Sequence, residues 1–134
     1  MHMRYKMYCI FAKESLDKIN GIRGKMATQA GHAYLHAFWD AEDRWAELLS
    51  FEDDLYCKHS AYRASEHAYK ITLVVDTVEE LKEIQKRYSN VCGTSLITDA
   101  GLTVFKEHTT TCLGLGPISE DRIGEDLKAL KLLT

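Results

Sequence analysis

The chain has 134 residues, of which 46% are hydrophobic and 28% charged, and its formal net charge is -3. This length and composition are typical of one globular domain with its own core, and the charge excludes binding of nucleic acid through overall basicity, so such a ligand needs a local basic patch. The apolar runs are too short for a transmembrane helix, and the first residues, MHMRYK, lack the apolar stretch of a signal peptide.

The four cysteines, Cys9, Cys57, Cys92 and Cys112, form no CxxC pair and have no close metal-type spacing. We predict that they are reduced thiols and that at least three of them are buried as small hydrophobic side chains. This use of cysteine favours an intracellular, cytoplasmic protein.

The first predicted element is a strand over Arg4–Lys13, which is almost continuously apolar. Such a run favours a central strand that is covered on both faces. Residues 14–22 are predicted as a loop. A helix then begins near Arg23 or Gly24 and runs through the region of Trp39, because apolar residues recur there at helical spacing.

Residues 40–54 carry seven acidic side chains and one basic one, with apolar residues at helical spacing among them. This pattern predicts a second amphipathic helix with a solvated acidic face. Residues 56–68 are predicted to be irregular. We therefore expect a single domain over residues 1–134, with an acidic helical insert around 40–66.

A strong strand is predicted over Ala68–Asp76, followed by a helix that begins at Thr77. Thr77 and Glu80 have the spacing of a capping box, and the apolar stripe of this helix is predicted to consist of Val78, Leu81, Ile84 and Tyr88.

Two closely spaced strands, Gly93–Thr98 and Thr110–Leu115, follow and are separated by a turn at Asp99–Gly101. Ser119 is predicted to cap a last helix that turns Ile123, Leu127 and Leu130 inward. Strands that alternate with helices, and two strands joined without a helix, predict an α/β fold of three layers, α/β/α, with a mixed four-stranded sheet.

The first helix places three polar side chains, Lys25, Gln29 and His32, within roughly 60° of one another on the helical wheel. Its N-terminus offers free N–H groups that favour an anion such as phosphate, and Arg23 and Lys25 add charge there. The alternative is an ordinary solvated polar face.

A second cluster surrounds the predicted turn and consists of Asp99, Thr103, Thr109, Thr110 and Thr111. A carboxylate near hydroxyl groups and a lysine can orient water, accept a proton or hold a substrate hydroxyl. The alternative is an Asp that bonds only its own turn, with threonines that are present for their β propensity.

Metal binding is the weakest interpretation. His32 and His36 have the i, i+4 spacing of helical zinc ligands, but the glutamate of HExxH is missing and no third ligand is evident. We expect no metal ion and no other cofactor.

Two motifs together resemble the type 2 peptidyl-tRNA hydrolases of archaea and eukaryotes. The segment RGKMATQAGHA, residues 23–33, is similar to the family's first signature, GKGKxAAQxxHA. The segment DAGLTVFKEHTTTCLGLGP, residues 99–117, is similar to its second, DAGRTxxxxGTxTxLGIGP. Apart from about 30 residues after Trp39, the likeness covers most of residues 5–133.

The resemblance implies hydrolysis of the ester between a peptide and the 3′ ribose of tRNA, without a metal. It implies catalytic roles for Lys25, Asp99, Thr103 and Thr111, and substrate binding by Arg23, Gln29, His32 and Thr109. The expected partner is peptidyl-tRNA, no membrane is involved, and a homodimer is left open because family members often pair.

A non-catalytic module of the same fold that binds RNA or protein is the alternative function. Two positions distinguish the hypotheses: Leu102 and Gly31 stand where the family has arginine and commonly serine. If the predicted catalytic side chains converge on one place, the enzyme is favoured; if Leu102 or the insert fills that place, the binding module is favoured.

Overall fold

The computed structural model of the protein describes residues 4–47, 62, 68–101 and 107–134. In chain order the elements are β1 (Tyr5–Ala12), α1 (Lys13–Asp17), α2 (Arg23–Glu47), β2 (Lys70–Val75), α3 (Val78–Tyr88), β3 (Thr94–Asp99), β4 (Thr109–Ser119), a 3-10 turn (Glu120–Arg122), α4 (Glu125–Lys128) and β5 (Lys131–Leu132).

The strands form one mixed sheet in the order β3-β4-β1-β2-β5. Strand β1 is parallel to β2 and antiparallel to β4, which is in turn antiparallel to β3. The predicted mixed sheet is confirmed, but it has five strands rather than four. The fifth is the short β5, which pairs antiparallel with β2 and leaves no sequence signal because it has only two residues.

Strand β1 lies at the centre and is covered on both faces, as its apolar run predicts. Because successive side chains of a strand point to opposite faces, Tyr8, Ile10 and Ala12 pack in the cluster that contains the apolar stripe of α3. Cys9 and Phe11 pack with α2 on the other face. The three-layer α/β/α prediction is therefore confirmed.

Helix α2 lies unusually close to the sheet. Its fully buried residues Ala33 and Ala37 face two glycines, Gly114 and Gly93. A Cβ on Gly114 would collide with the backbone oxygen of Ala33, and one on Gly93 would collide with that of Ala37. Small residues on both sides thus bring the helix backbone almost into contact with the strands.

Helix α3 covers the opposite face with large side chains, and the predicted stripe is confirmed. Leu81, Ile84 and Tyr88 are buried, and Val78 is half-buried against the same cluster. The predicted cap is present, since the Thr77 hydroxyl accepts a hydrogen bond from the Glu80 N–H at 3.2 Å. These contacts hold the helix in register with the core.

The C-terminal segment is fastened to α3 through a buried phenol. The Tyr88 hydroxyl donates to the Asp126 carboxylate at 2.8 Å and accepts from the Gly124 N–H at 2.9 Å. Burial raises the pKa of Tyr88 to about 12, so this phenol remains a donor at all physiological pH values.

The structure corrects two predictions in the N-terminal half. Residues 14–22, predicted as a loop, contain α1, a single helical turn held by tertiary hydrogen bonds from the Glu14 N–H to Asp76 and from the Ser15 hydroxyl to Thr110. The predicted break after Trp39 is absent, since α2 continues to Glu47. Its apolar stripe continues too, because Ala41 is fully buried one turn after Ala37. Apart from Tyr62, the rest of the acidic insert lies outside the described residues.

The predicted last helix is also different. Ser119 ends β4 and makes no capping hydrogen bond, and the chain forms a 3-10 turn, the short α4 and then β5. The inward positions are as predicted, since Ile123 and Leu127 are buried and Leu130 is half-buried.

The cysteines Cys9, Cys92 and Cys112 are buried thiols, as predicted, and Cys57 lies outside the described residues. Within the described ranges, no helix combines the length and apolarity that crossing a membrane requires.

Candidate active site

The site lies where β3 ends and the first turns of α2 cross it. Asp99 is the last residue of β3, and Lys25 lies in the first turn of α2. The Lys25 ammonium is 2.6 Å from Oδ2 of Asp99, and the two side chains are only 15% and 9% exposed. The two sequence clusters therefore meet in a short, largely buried ion pair.

Two buried polar side chains form a hydrogen-bonded chain that ends at Asp99, and we call this chain the relay. Gln29 is one turn after Lys25, only 3% exposed, and its Nε2 donates to Oδ2 of Asp99 at 3.4 Å. The hydroxyl of Thr111, which is fully buried on β4, donates to Oε1 of Gln29 at 2.6 Å. Since a carboxylate only accepts hydrogen bonds, the amide nitrogen must face Asp99 and the amide oxygen must face Thr111.

The turn after Asp99 fixes the second carboxylate oxygen. Oδ1 accepts the Gly101 N–H at 2.8 Å, but the alternative in which Asp99 bonds only its own turn is wrong, because Oδ2 contacts Lys25 and Gln29. Gly101 has a positive φ of 78°, and a Cβ there would meet the backbone of Glu107. Glycine is therefore required at this position for both reasons.

The Lys25 ammonium, the Gly101 N–H and, more weakly, the charge of His32 together outweigh burial and lower the pKa of Asp99 below its ordinary value. Asp99 is therefore a carboxylate at neutral pH, with one oxygen shared by Lys25 and Gln29 and the other bound to the turn. An ionised carboxylate that is held in this way can orient a water molecule or accept a proton from it.

The remaining predicted residues surround this centre at different depths. Thr109 is the register partner of Asp99 and is buried, but its hydroxyl donates to the Glu107 carbonyl at 2.9 Å. His32 is exposed beside the pair, and Arg23 is exposed at the start of α2. Thr103, together with Leu102, lies outside the described residues.

Sequence reasoning missed the contribution of α1 and the turn after it. The Ser15 hydroxyl donates to the carbonyl of Thr110, next to Thr111, and Lys18 is 3.6 Å from Glu107 on the far side of the turn. Both contacts join segments that are distant along the chain, so no local spacing could have indicated them. The exposed Lys18–Glu107 pair contributes little to stability.

A cleft of about 910 Å³ opens at the same end of the sheet as the site, between α1, the end of β2 and the C-terminal residues. Met26 of α2 is among its lining residues, whereas Lys25 and Asp99 are not. Across the described ranges, no group of three or more His, Cys, Asp or Glu side chains is arranged to hold a metal ion.

Comparison with known proteins identifies the relatives of the chain. The family model described as "Peptidyl-tRNA hydrolase PTH2" matches residues 5–133. A protein named peptidyl-tRNA hydrolase from Methanococcus maripaludis is 37% identical over 113 residues, covering 83% of this chain and 87% of its own length. Proteins of the same name from Methanopyrus kandleri and Metallosphaera sedula are 34% and 32% identical, covering 81% and 86% of this chain and 87% and 92% of their own lengths.

Proposed function

The chain belongs to the peptidyl-tRNA hydrolase PTH2 family, and from that premise we propose that it hydrolyses the ester between a peptide and the 3′ ribose of tRNA. The observation that carries the proposal is the 2.6 Å contact between Lys25 and Asp99. It joins the two motifs that identify the family, which occupy the distant segments 23–33 and 99–117 of the sequence. The alternative of a non-catalytic module is not favoured, because the relatives carry the name of the enzyme.

In the proposed reaction, Asp99 activates the attacking water. Asp99 orients the water and accepts one of its protons as the water oxygen bonds to the ester carbonyl carbon. The protonated Asp99 then returns this proton to the ribose 3′ oxygen as the bond between that oxygen and the carbonyl carbon breaks. The products are a free peptide carboxyl group and a tRNA 3′ hydroxyl. A base that stays ionised at neutral pH suits this role, since only the deprotonated form accepts a proton.

Lys25 has two functions in this scheme. Its ammonium keeps Asp99 ionised, and at the rim of the site it stabilises the negative charge that develops on the carbonyl oxygen. Thr103, outside the described residues, remains the predicted hydroxyl contact to the ester.

Gln29 and Thr111 act as positioning residues. Both are too buried to contact a large substrate, and together they determine where the carboxylate of Asp99 points. Arg23 and His32 are exposed at the rim and are proposed to contact the tRNA, Arg23 through phosphate. The buried Thr109 is proposed to shape the turn that faces the substrate.

The setting of this activity is proposed on the same basis. Peptidyl-tRNA is the partner, the cytoplasm is the compartment, no metal or cofactor takes part, and residues 1–134 act as one domain with an acidic insert around 40–66. The proposal leaves both a monomer and a homodimer open.

The experiment is to incubate the purified protein with N-blocked aminoacyl-tRNA and to measure release of the blocked amino acid. The proposal predicts turnover well above the buffer control in the presence of a metal chelator. Folded protein that gives no release above the control would contradict it and would favour the non-catalytic module.

A further inference from the structure

One stripe of α2 continues from the site towards solvent. Its members are spaced by four, three, four and three residues along the helix: Lys25, Gln29, His32, His36 and Trp39. Because α-helical residues with such spacing lie on one face, the face that meets Asp99 extends into three exposed rings. We call His32, His36 and Trp39 the ring stripe.

The rings form a contiguous series. The imidazoles of His32 and His36 meet edge to face, with centroids 5.9 Å apart, and the His36 ring is 5.3 Å from the indole of Trp39. Trp39 is 48% exposed, which is unusual for a side chain of this size in a folded domain. At ~1.5 Å per residue, the ring stripe spans roughly 10 Å along the helix.

The charge distribution along α2 changes where the ring stripe ends. No acidic residue occurs between Arg23 and Trp39, whereas Asp40, Glu42 and Asp43 follow immediately. A polyanion would therefore be accepted along the first part of the helix and repelled beyond it. The ring stripe and its neutral to basic surroundings thus suit a short segment of nucleic-acid backbone and no more.

We infer that the ring stripe binds the unpaired nucleotides that precede the ester at the 3′ end of tRNA, with one base stacked on the indole of Trp39. This inference rests on the proposed function, because the ester carried by the 3′ ribose must reach Asp99. Aromatic side chains are the usual platforms for unpaired bases, and His32 and His36 add hydrogen-bond donors for phosphate or base edges. The ring centroids are too close to admit a base between them, so stacking takes place on the exposed indole face.

A protein partner is less well supported as the occupant. The three rings begin beside the candidate catalytic pair, where a bound protein would obstruct a tRNA end. The test below includes the outcome in which the ring stripe does not bind RNA.

Binding is tested first by fluorescence. The chain has two tryptophans, so a Trp45→Phe variant leaves Trp39 as the single reporter. Titration with a short single-stranded RNA that ends in CCA, and with deacylated tRNA, should quench this fluorescence, because base stacking on indole changes its emission. A blunt-ended RNA duplex of equal charge should not. Quenching by the duplex that equals quenching by the single-stranded RNA would overturn the inference. So would the absence of quenching by both the single-stranded RNA and deacylated tRNA.

Kinetics then test the position of the contact. Trp39→Ala should raise KM for N-blocked aminoacyl-tRNA about tenfold and change kcat less than about twofold, while Trp39→Phe should retain most of the affinity. On N-blocked aminoacyl-adenosine, which lacks the preceding nucleotides, the penalty of Trp39→Ala should fall to within about twofold. The matched control is Leu35→Ala, since Leu35 lies on the same helix, is 45% exposed and has no π face.

The outcomes separate the inference from the function on which it rests. If the unmodified protein and Trp39→Ala cleave N-blocked aminoacyl-tRNA with the same KM, the inference alone is overturned. An increase in KM for Leu35→Ala equal to that for Trp39→Ala would also overturn it. If the unmodified protein cleaves neither substrate, the proposed function fails, and the fluorescence titration still decides whether the ring stripe binds unpaired RNA.

Discussion

The two faces of the sheet are packed by opposite means. Under α3, large apolar side chains such as Leu81 and Ile84 fill the space, and the helix is held by bulk. Under α2, alanines meet glycines, and the helix backbone lies close enough to the strands for Gln29 to reach both Thr111 and Asp99. Because the α2 backbone lies so close to the strands, polar side chains buried between them are within hydrogen-bonding distance of one another.

This difference suggests that the α3 face serves stability and the α2 face serves activity, which we call the division between the faces. The α3 face resembles an ordinary core, whose residues contribute chiefly to stability. The α2 face has fewer large apolar side chains at the site and instead holds a carboxylate, an ammonium group and an amide in a fixed arrangement. Substitutions of the polar site residues on the α2 face should therefore change activity without large losses of stability, whereas substitutions of the large apolar residues on the α3 face should lower stability without changing activity.

Lys25→Met should have the largest effect among the tests of this division. It removes the cation that faces Asp99, and we expect kcat for N-blocked aminoacyl-tRNA to fall about 10²- to 10³-fold. A matched control is Lys13→Met, because Lys13 is an exposed lysine that pairs with Asp17 outside the site. Steady-state kinetics provide the measurement, and an equal loss in both variants would contradict the assignment.

The same variant has a pH signature. Because the pKa of Asp99 is lowered in the folded protein, first by Lys25, the stabilising ion pair persists above the ordinary carboxyl pKa of about 3.9 and is lost only as the pH falls through the lowered value. Lys25→Met should move the acid limb of the pH–kcat profile upward, towards that ordinary value. A limb that stays in place would mean that Lys25 does not control the ionisation of Asp99.

Leu81→Ala tests the other face. Leu81 is fully buried under α3, and its truncation should lower the free energy of unfolding by about 3 kcal/mol through lost burial and the resulting cavity. Urea denaturation measures this loss. At a temperature where the variant is folded, its kcat should equal that of the unmodified protein. A loss of kcat in folded Leu81→Ala protein would contradict the division between the faces.

Thr111→Val tests the relay with a smaller expected effect. The valine keeps the shape of the side chain but removes the hydroxyl that fixes the Gln29 amide, so kcat should fall about tenfold while KM is unchanged. The control is Thr110→Val, one residue away, whose hydroxyl is hydrogen-bonded to that of the exposed Thr98 at 3.1 Å. If the two variants have the same kcat, the relay does not position Asp99.

The smallest expected effect is a gain in stability. Gly31 lies inside α2, and a Cβ there would meet nothing within 4 Å. Gly31→Ala should therefore raise the free energy of unfolding by about 0.5–1 kcal/mol through helix propensity. Gly114→Ala should have the opposite sign, since its Cβ would strike the backbone of α2. Thermal denaturation compares the two variants, and a gain for Gly114→Ala would refute the close packing of this face.

The fold was largely predictable because its signals are local. The continuous apolar run of β1, the cap at Thr77 and the apolar stripe of α3 each lie within a dozen residues. The short elements α1 and β5 were not predictable, since tertiary hydrogen bonds stabilise them rather than periodicity. The apparent break after Trp39 came from a change in composition, although the buried stripe of α2 continues at Ala41.

The candidate site was predictable as two clusters, but their contact was not. Helical spacing placed Lys25 and Gln29 on one face, and the family motifs suggested that Asp99 works with them. The burial of Gln29 and the direction of the Thr111 hydrogen bond depend on how closely α2 approaches β4, which Gly114 determines from a distant part of the chain. Helical spacing alone would have left Gln29 as part of a solvated face.

The most direct test of the account is the turnover of N-blocked aminoacyl-tRNA by Asp99→Asn, side by side with the unmodified protein. Asparagine keeps the size of the side chain but is not a carboxylate that can accept a proton from water. The account predicts that kcat falls about 10³-fold while the circular dichroism spectrum is unchanged. Folded Asp99→Asn protein that turns over at the rate of the unmodified protein would contradict the assignment of this site.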